Sequence, residues 1–359
     1  MVNRLVIWVI LIFLLAGCSF LPTYIVNEIN MAQGVGYDLS KKNEIKGTFV
    51  FSTFKKDKSY TEAKTNFGLS SKEIRTKISN ETRFPIVSGQ MRIQLFGKSL
   101  AKKGINDLVD TFNRDPSIGS LVQLGIVDGD PHEMLQMKNF KNENISIYIQ
   151  EMLNQNMQFG NIPQTDLQTF LFQYYQKGQD PYLPLIKKDD DNIKIIGMAI
   201  LKDDRYIFPL FWKDLFIFKC LVDKYRHGMH QFILKNGDRV LLDNLASKAK
   251  YKVITRKGKP EFTINLKLKT RLQEFSSPRK EWVKINKKEI QKEIERQLEN
   301  NAIKIIRQFQ HYGVDPIGFG AKYKEHNRGF HEKKWNSLYP STNVQVNVMV
   351  NIKQTGTVD

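Results

Sequence analysis

The chain has 359 residues, 41% hydrophobic and 26% charged, with a formal net charge of +18. That composition belongs to a folded protein and excludes a disordered chain; the length exceeds one typical core, so two to three domains are expected. Its two cysteines, Cys18 and Cys220, exclude a disulfide-dense scaffold.

Residues 1–17 read as a signal peptide. Met1-Val2-Asn3-Arg4 gives a short positive start, and Leu5 to Leu15 is apolar. The run is shorter than the ~20 apolar residues that cross a hydrocarbon core. Leu15-Ala16-Gly17-Cys18 has the lipobox pattern: an aliphatic residue, two small residues that let extended backbone enter a peptidase cleft, and a cysteine. The thiol of Cys18 is the expected lipidation site, carrying a thioether-linked diacylglycerol, with everything after it outside the cytoplasm. Two acyl chains suffice for stable anchoring, each buried methylene contributing about 0.8 kcal/mol. The alternative is an uncleaved signal anchor with an incidental cysteine. Cys220 is then alone, and it closes the apolar run Phe216 to Cys220, so a buried, inert thiol is expected.

Only Arg4 of the positive excess lies in the signal peptide. An anionic leaflet attracts such a chain, each nearby Lys or Arg contributing about 1 kcal/mol. Nucleic-acid binding is the usual alternative for this charge, but export and the lack of a nucleic-acid motif argue against it. Solubility alone also accounts for it.

After the tether Ser19 to Pro22, a short helix is expected around Ile25 to Ala32, then a strand opening at Gly34 to Asp38 and a strand over Lys46 to Phe54. Thr61 to Thr82 reads as polar and mainly helical. Met91 to Gly97 alternates like a half-buried strand. Ile105 to Phe112 is an amphipathic helix stopping before Asp115-Pro116. Leu121 to Val127 is a buried strand, His132 to Met137 starts a helix, and Ile145 to Tyr175 is a helical block ending near Gly178, a C′ candidate. Lys187 to Asn192 is a hydrophilic break. It divides the chain into an N-terminal region, 18–188, and a C-terminal domain, 189–359, although a hairpin loop would look the same.

Beyond the break, Ile193 to Leu201 and Tyr206 to Leu210 flank the turn Lys202-Asp203-Asp204-Arg205. Lys213 to Tyr225 reads as a helix. Asn236-Gly237 joins two short strands, Gln231 to Leu234 and Arg239 to Leu242. Tyr251 to Thr255 is a strand, and Phe262, Ile264, Leu266 and Leu268 line the buried side of another. The longest helix runs from Lys287 to Gln310 with Ile290, Ile294, Leu298, Ile305 and Phe309 on its buried stripe. Val344 to Ile352 closes the chain as an alternating strand. The class is α+β, with mixed or antiparallel sheets and packed helices, and without a regular βαβ rhythm.

Chemistry is sparse. His227 and His230, or His326 and His331, have spacings a metal site could use, but no matching acidic or cysteine partner. Hydrolase, zincin and nucleotide-loop motifs are absent. Gly34-x-Gly36 and Gly318-x-Gly320 lack a third glycine and read as turn or packing glycines. Asp189-Asp190-Asp191 lacks the spaced ligands of a calcium loop. The sequence therefore points to no catalytic residue, no cofactor and no metal.

Four segments in order along the chain resemble the C subunits of bacterial spore germinant receptors, the Ger(x)C lipoprotein family. They are the lipobox followed by Gly34-Val35-Gly36-Tyr37-Asp38; Ser88 to Met91, Phe96 to Ala101 and Phe112 to Pro116; Gly178 to Pro184 with Ile196 to Asp204; and Asp315 to Gly320 with Trp335 and the closing strand. Ser19 to Pro22 departs from the family's tether, and Leu201 replaces a usual Phe. The resemblance implies a non-enzymatic receptor subunit of three α+β domains, anchored to the outer face of the spore inner membrane. Its implied partners are integral A-type and B-type subunits. The alternative is a solute-binding lipoprotein feeding a transporter, which would have two βα-rich lobes and a hinge.

Overall fold

Two mixed sheets organise the chain. The computed structural model describes residues 25–40, 44–55, 58–137, 143–256, 258–278 and 286–355. The signal peptide and the lipobox, with Cys18, lie outside the described residues.

The larger sheet has nine strands. Its path runs β3 (Lys58–Gly68), β2 (Ile45–Lys55), β1 (Asn30–Leu39), β5 (Ile93–Gly97), β6 (Gln123–Val127), β7 (Tyr182–Asp189), β8 (Asn192–Lys202) and β9 (Arg205–Phe211). The short β4 (Ile86–Val87) also pairs with β1. The centre, β1-β5-β6-β7, is parallel, and antiparallel hairpins extend it on both sides. The smaller sheet has the order β10 (Met229–Ile233), β11 (Arg239–Arg256), β12 (Lys259–Ser276) and β13 (Asn343–Thr355). The expected α+β class with mixed sheets is what the chain adopts, built on two sheets.

Ten α-helices occur among the described residues: α1 (Ser71–Asn80), α2 (Lys98–Ala101), α3 (Asn106–Asn113), α4 (Pro131–Leu135), α5 (Ile145–Phe159), α6 (Leu167–Tyr175), α7 (Trp212–Val222), α8 (Lys287–Tyr312), α9 (Phe319–His326) and α10 (Glu332–Leu338). Helices α1, α3 and α6 cover one face of the larger sheet, around Val35, Tyr37, Phe49, Phe96, Phe112 and Phe170. Helices α4, α5 and α7 cover the other. That second core continues through α8 to the inner face of the smaller sheet, by way of Met198, Phe218, Phe309 and Ile264.

Coverage on both faces explains why β5 and β6 are buried throughout, so Met91 to Gly97 is not the half-buried strand its alternation predicted. The glycines of β1 serve this packing. A Cβ on Gly34 would strike Ser146 of α5, and one on Gly36 would come within 2.8 Å of Pro131 of α4.

Two further local expectations fail. Ile25 to Ala32 is not a helix: Val26–Glu28 makes one 3-10 turn, and β1 begins at Asn30. A strand here finds ladder partners on both sides, in β2 and in β4 and β5, which an isolated helical turn cannot match. Thr61 to Thr82 divides in two. Its first part is edge strand β3, whose ladder with β2 overrides the helical preference of Glu62-Ala63-Lys64. Only Ser71–Asn80 is helical, capped by Ser70, whose hydroxyl accepts from the Glu73 N–H at 3.2 Å.

Lys187 to Asn192 forms the tip of the β7–β8 hairpin. Asp189 faces Asn192, and Asp190 takes the turn at φ 52°. The larger sheet runs on through this turn into β8 and β9, so a division at 188 falls at a hairpin tip.

The next hairpin, β8 to β9, turns at Asp203 (φ 53°). Its Asp204 reaches away from the turn. One carboxylate oxygen accepts from the backbone N–H groups of Ile105 and Asn106, both at 2.9 Å. Helix α3 has no capping side chain of its own, so Asp204 supplies the missing acceptor from 98 residues away. Asp204→Ala is expected to lower unfolding free energy by about 1 kcal/mol, the usual worth of a helix cap, measurable by urea denaturation.

Candidate functional site

The motif segments meet in the fold. Asp38, ending the first, takes a hydrogen bond from the Ser99 hydroxyl of the second. Asp204 of the third caps α3, inside the second. The third and fourth are joined by a buried pair of aspartates, each followed by proline in the sequence.

Asp180 is 3% exposed. One oxygen accepts from the Asp203 N–H at 3.1 Å; the other accepts from the Asp315 N–H at 2.6 Å and from Lys202 Nζ at 3.0 Å. Its own N–H donates to the Asp315 carbonyl at 3.0 Å. The Asp315 carboxylate in turn gathers the N–H groups of Gly318 (2.9 Å), Phe319 (3.0 Å) and Gly320 (2.8 Å). It thereby satisfies the orphan donors at the start of α9. Burial pushes the Asp315 carboxyl up to about 7 against the pull of these amides, and the neighbouring Asp180 charge adds to the rise. Burial also raises Asp180, opposed first by Lys202.

The glycines around this knot permit backbone to lie on backbone. Gly178 (φ 82°) accepts from the Ala321 N–H at 2.9 Å, and a Cβ on it would stand 2.5 Å from the Gly320 carbonyl carbon. Gly178 therefore does more than follow α6, which is capped at Gln176. Trp335 packs against Gly320 and sits in an aromatic cluster with Phe262, Tyr323 and Tyr339.

A cleft of about 490 Å³ opens beside the knot, lined by residues that include Gln179, Ile317 and Lys322. Phe172, Asp223 and Tyr251 form other parts of its wall. Lys322 donates to the Ile317 carbonyl at 2.8 Å and lies 4.5 Å over the Tyr251 ring; burial lowers its pKa. Asp223 accepts from the Gln164 N–H at 2.8 Å, and burial raises its pKa. Nearby, buried Lys219 donates to the carbonyls of Met157 and Gly160, closing the C-terminus of α5, and its pKa falls to about 8 through burial.

The structure does not bring the sequence's histidines together as ligand sets. His230 stacks on Phe216 at 4.6 Å, and burial lowers it to about 4. His227 donates its backbone N–H to Asn244, His326 bonds the Lys322 carbonyl through Nδ1, and His331 starts α10. Asp189 pairs with Lys194 across the β7–β8 hairpin. Cys220 is fully buried and its thiol is pushed up to about 12, as expected of an inert cysteine. Sequence reasoning missed the carboxylate knot; Asp-Pro recurs at 115, 130, 180 and 315, so the dipeptide did not single out the pair.

Residues 23–188 match the family described as spore germination protein N-terminal domain, and residues 196–356 match spore germination B3/GerAC like, C-terminal. The two matches meet at the β7–β8 hairpin. Spore germination protein GerQC of Bacillus cereus is 28% identical over 357 residues, covering 99% of each chain. The crystal structure of the GerBC protein shares the fold, with a TM-score of 0.59 and 18% identity over 89% of this chain and 96% of that one. With both halves matched in order, the chain belongs to the GerAC-type family of spore germination proteins, the Ger(x)C family that its motifs resemble.

Proposed function

We propose that this protein is the non-enzymatic C subunit of a nutrient germinant receptor. In this reading Cys18 carries the lipid that holds it on the outer face of the spore inner membrane, beside integral A-type and B-type subunits. The family match across both halves carries the proposal. The site geometry supports it. The third and fourth family motifs converge on a clasp whose carboxylates face backbone amides and one lysine inside the protein, which suits a rigid coupling element rather than acid–base chemistry. A solute-binding lipoprotein would have two hinged lobes; here α7 and α8 lie in one core shared by the two sheets.

The anchor has its own test. Cys18→Ala is expected to move the protein from the membrane to the soluble fraction of disrupted spores and to abolish metabolic labelling with palmitate. Full membrane retention without label would remove the anchor from the account.

A further inference from the structure

The smaller sheet has one face packed on α8 and one face open. On the packed face, β12 presents Phe262, Ile264, Leu266 and Leu268, all buried. The alternate positions point outward, and there Lys248, Lys250 and Lys252 of β11, Lys267 and Lys269 of β12, and Lys353 of β13 are exposed. None of the six makes an ion pair with the described residues. The other outward residues between them are Thr263, Asn265, Gln345, Asn347, Met349, Asn351 and Ala246, so this stretch holds neither an acid nor an aromatic ring. The acids at its two ends, Asp243 and Glu261, are each held by an arginine, Arg271 at 2.9 Å and Arg256 at 3.7 Å.

Stability alone does not explain this pattern. Lys248 stands directly opposite Lys267, and like charges so placed oppose sheet formation. Lysines on an exposed edge guard against strand-to-strand aggregation, which accounts for Lys248, Lys250 and Lys252 on the stretch of β11 beyond its pairing with β10 and for Lys353 on β13, but not for Lys267 and Lys269 on β12, which is paired on both sides. A protein partner also fits poorly, because interface cores are depleted in lysine and enriched in aromatic residues. A broad, polar, lysine-studded plane matches a lattice of phosphate headgroups, to which each lysine contributes as a point charge.

We propose that the open face of the smaller sheet is a docking surface for an anionic membrane leaflet. It adds an orientation to the receptor reading and works without the lipid anchor. Docked this way, β11, β12 and β13 lie against the headgroups, and the larger sheet is held away from them by the packed face and α8.

The test uses the chain from Ser19 onward, which keeps every described residue and leaves out both the acyl chains and the apolar run Leu5 to Leu15. Flotation is compared on vesicles of phosphatidylcholine alone and of equal parts phosphatidylcholine and phosphatidylglycerol. Binding is expected only with phosphatidylglycerol and is expected to weaken with salt. Lys250→Gln, Lys267→Gln and Lys269→Gln together should weaken it on the order of a hundredfold, from the usual contribution per lysine. A control with the same charge change, Lys288→Gln, Lys292→Gln and Lys304→Gln on α8, should bind nearly as wild type; matching thermal melts confirm that each variant is folded. Equal losses in both triple variants, or no preference for phosphatidylglycerol, would overturn the proposal. Association with an acidic protein but not with vesicles would overturn it too. A failure here leaves the germination phenotype of the receptor reading untouched, so the two stand or fall separately.

Discussion

Asp315→Ala should cost about 3 kcal/mol or more of unfolding free energy, read by urea denaturation. The substitution strips one acceptor group from three backbone N–H groups, those of Gly318, Phe319 and Gly320, in a region where Asp315 is 3% exposed. Each buried donor left without a partner costs about 1–3 kcal/mol. Removing a buried carboxylate offsets part of this loss, which keeps the expected value near the lower end of the sum. Asp315→Asn retains one oxygen for the amides but turns an NH₂ toward a donor, so its loss should be smaller and still measurable.

The same carboxyl has a pH signature. Its folded pKa is raised from 3.8 to about 7, first by burial. The folded protein therefore holds a proton that the unfolded chain has released between these values. The contribution of this group to stability is fully present below about 3.8 and is lost as pH rises through about 7. Asp180 shifts in the same direction. Denaturation midpoints of Asp315→Asn should vary less than wild type across that window.

Gly178→Ala should be comparably damaging for a steric reason. The added methyl would lie 2.5 Å from the Gly320 carbonyl carbon and 2.7 Å from its Cα. Both are backbone atoms held by the Asp315 amide cluster, so no side-chain rotation relieves the clash. Overpacking of this kind costs about 1–3 kcal/mol or more, and the φ of 82° adds the penalty of a non-glycine residue in left-handed space. A drop of several degrees in thermal midpoint is expected. An unchanged midpoint would mean that the two segments separate readily, and the clasp would lose its structural role.

Strong periodicity was legible in the sequence. Helix α8 shows its buried stripe, ends against Gly313 in the left-handed conformation, and departs from the sequence reading only by two residues at its C-terminus. The alternation in β12 and β13 and the turns at Asp203 and Gly237 also read through. What failed depends on distant neighbours. Thr61 to Gly68 is composed like a helix, yet β2 recruits it as an edge strand. The parallel centre was hidden because β1 leaves the centre through a whole antiparallel hairpin before β5 returns beside it. The candidate site was half legible. Gly318 and Gly320 read correctly as turn or packing positions, Gly318 at φ 75° and Gly320 against Gly178 and Trp335. That Asp180 takes the Asp315 amide across 135 residues has no periodic or local trace. The basic charge was visible as a total, but its concentration on one sheet face emerges only from register.

The most direct test of the receptor reading is germination of spores lacking this gene, made in a strain from which genes for related receptors have been removed. Optical-density loss is followed with a panel of amino acids, sugars and nucleosides. A selective loss of response to one nutrient class, restored by the wild-type gene, is the predicted result. Unchanged germination with every nutrient in that background would contradict the assignment of this chain as a germinant-receptor subunit.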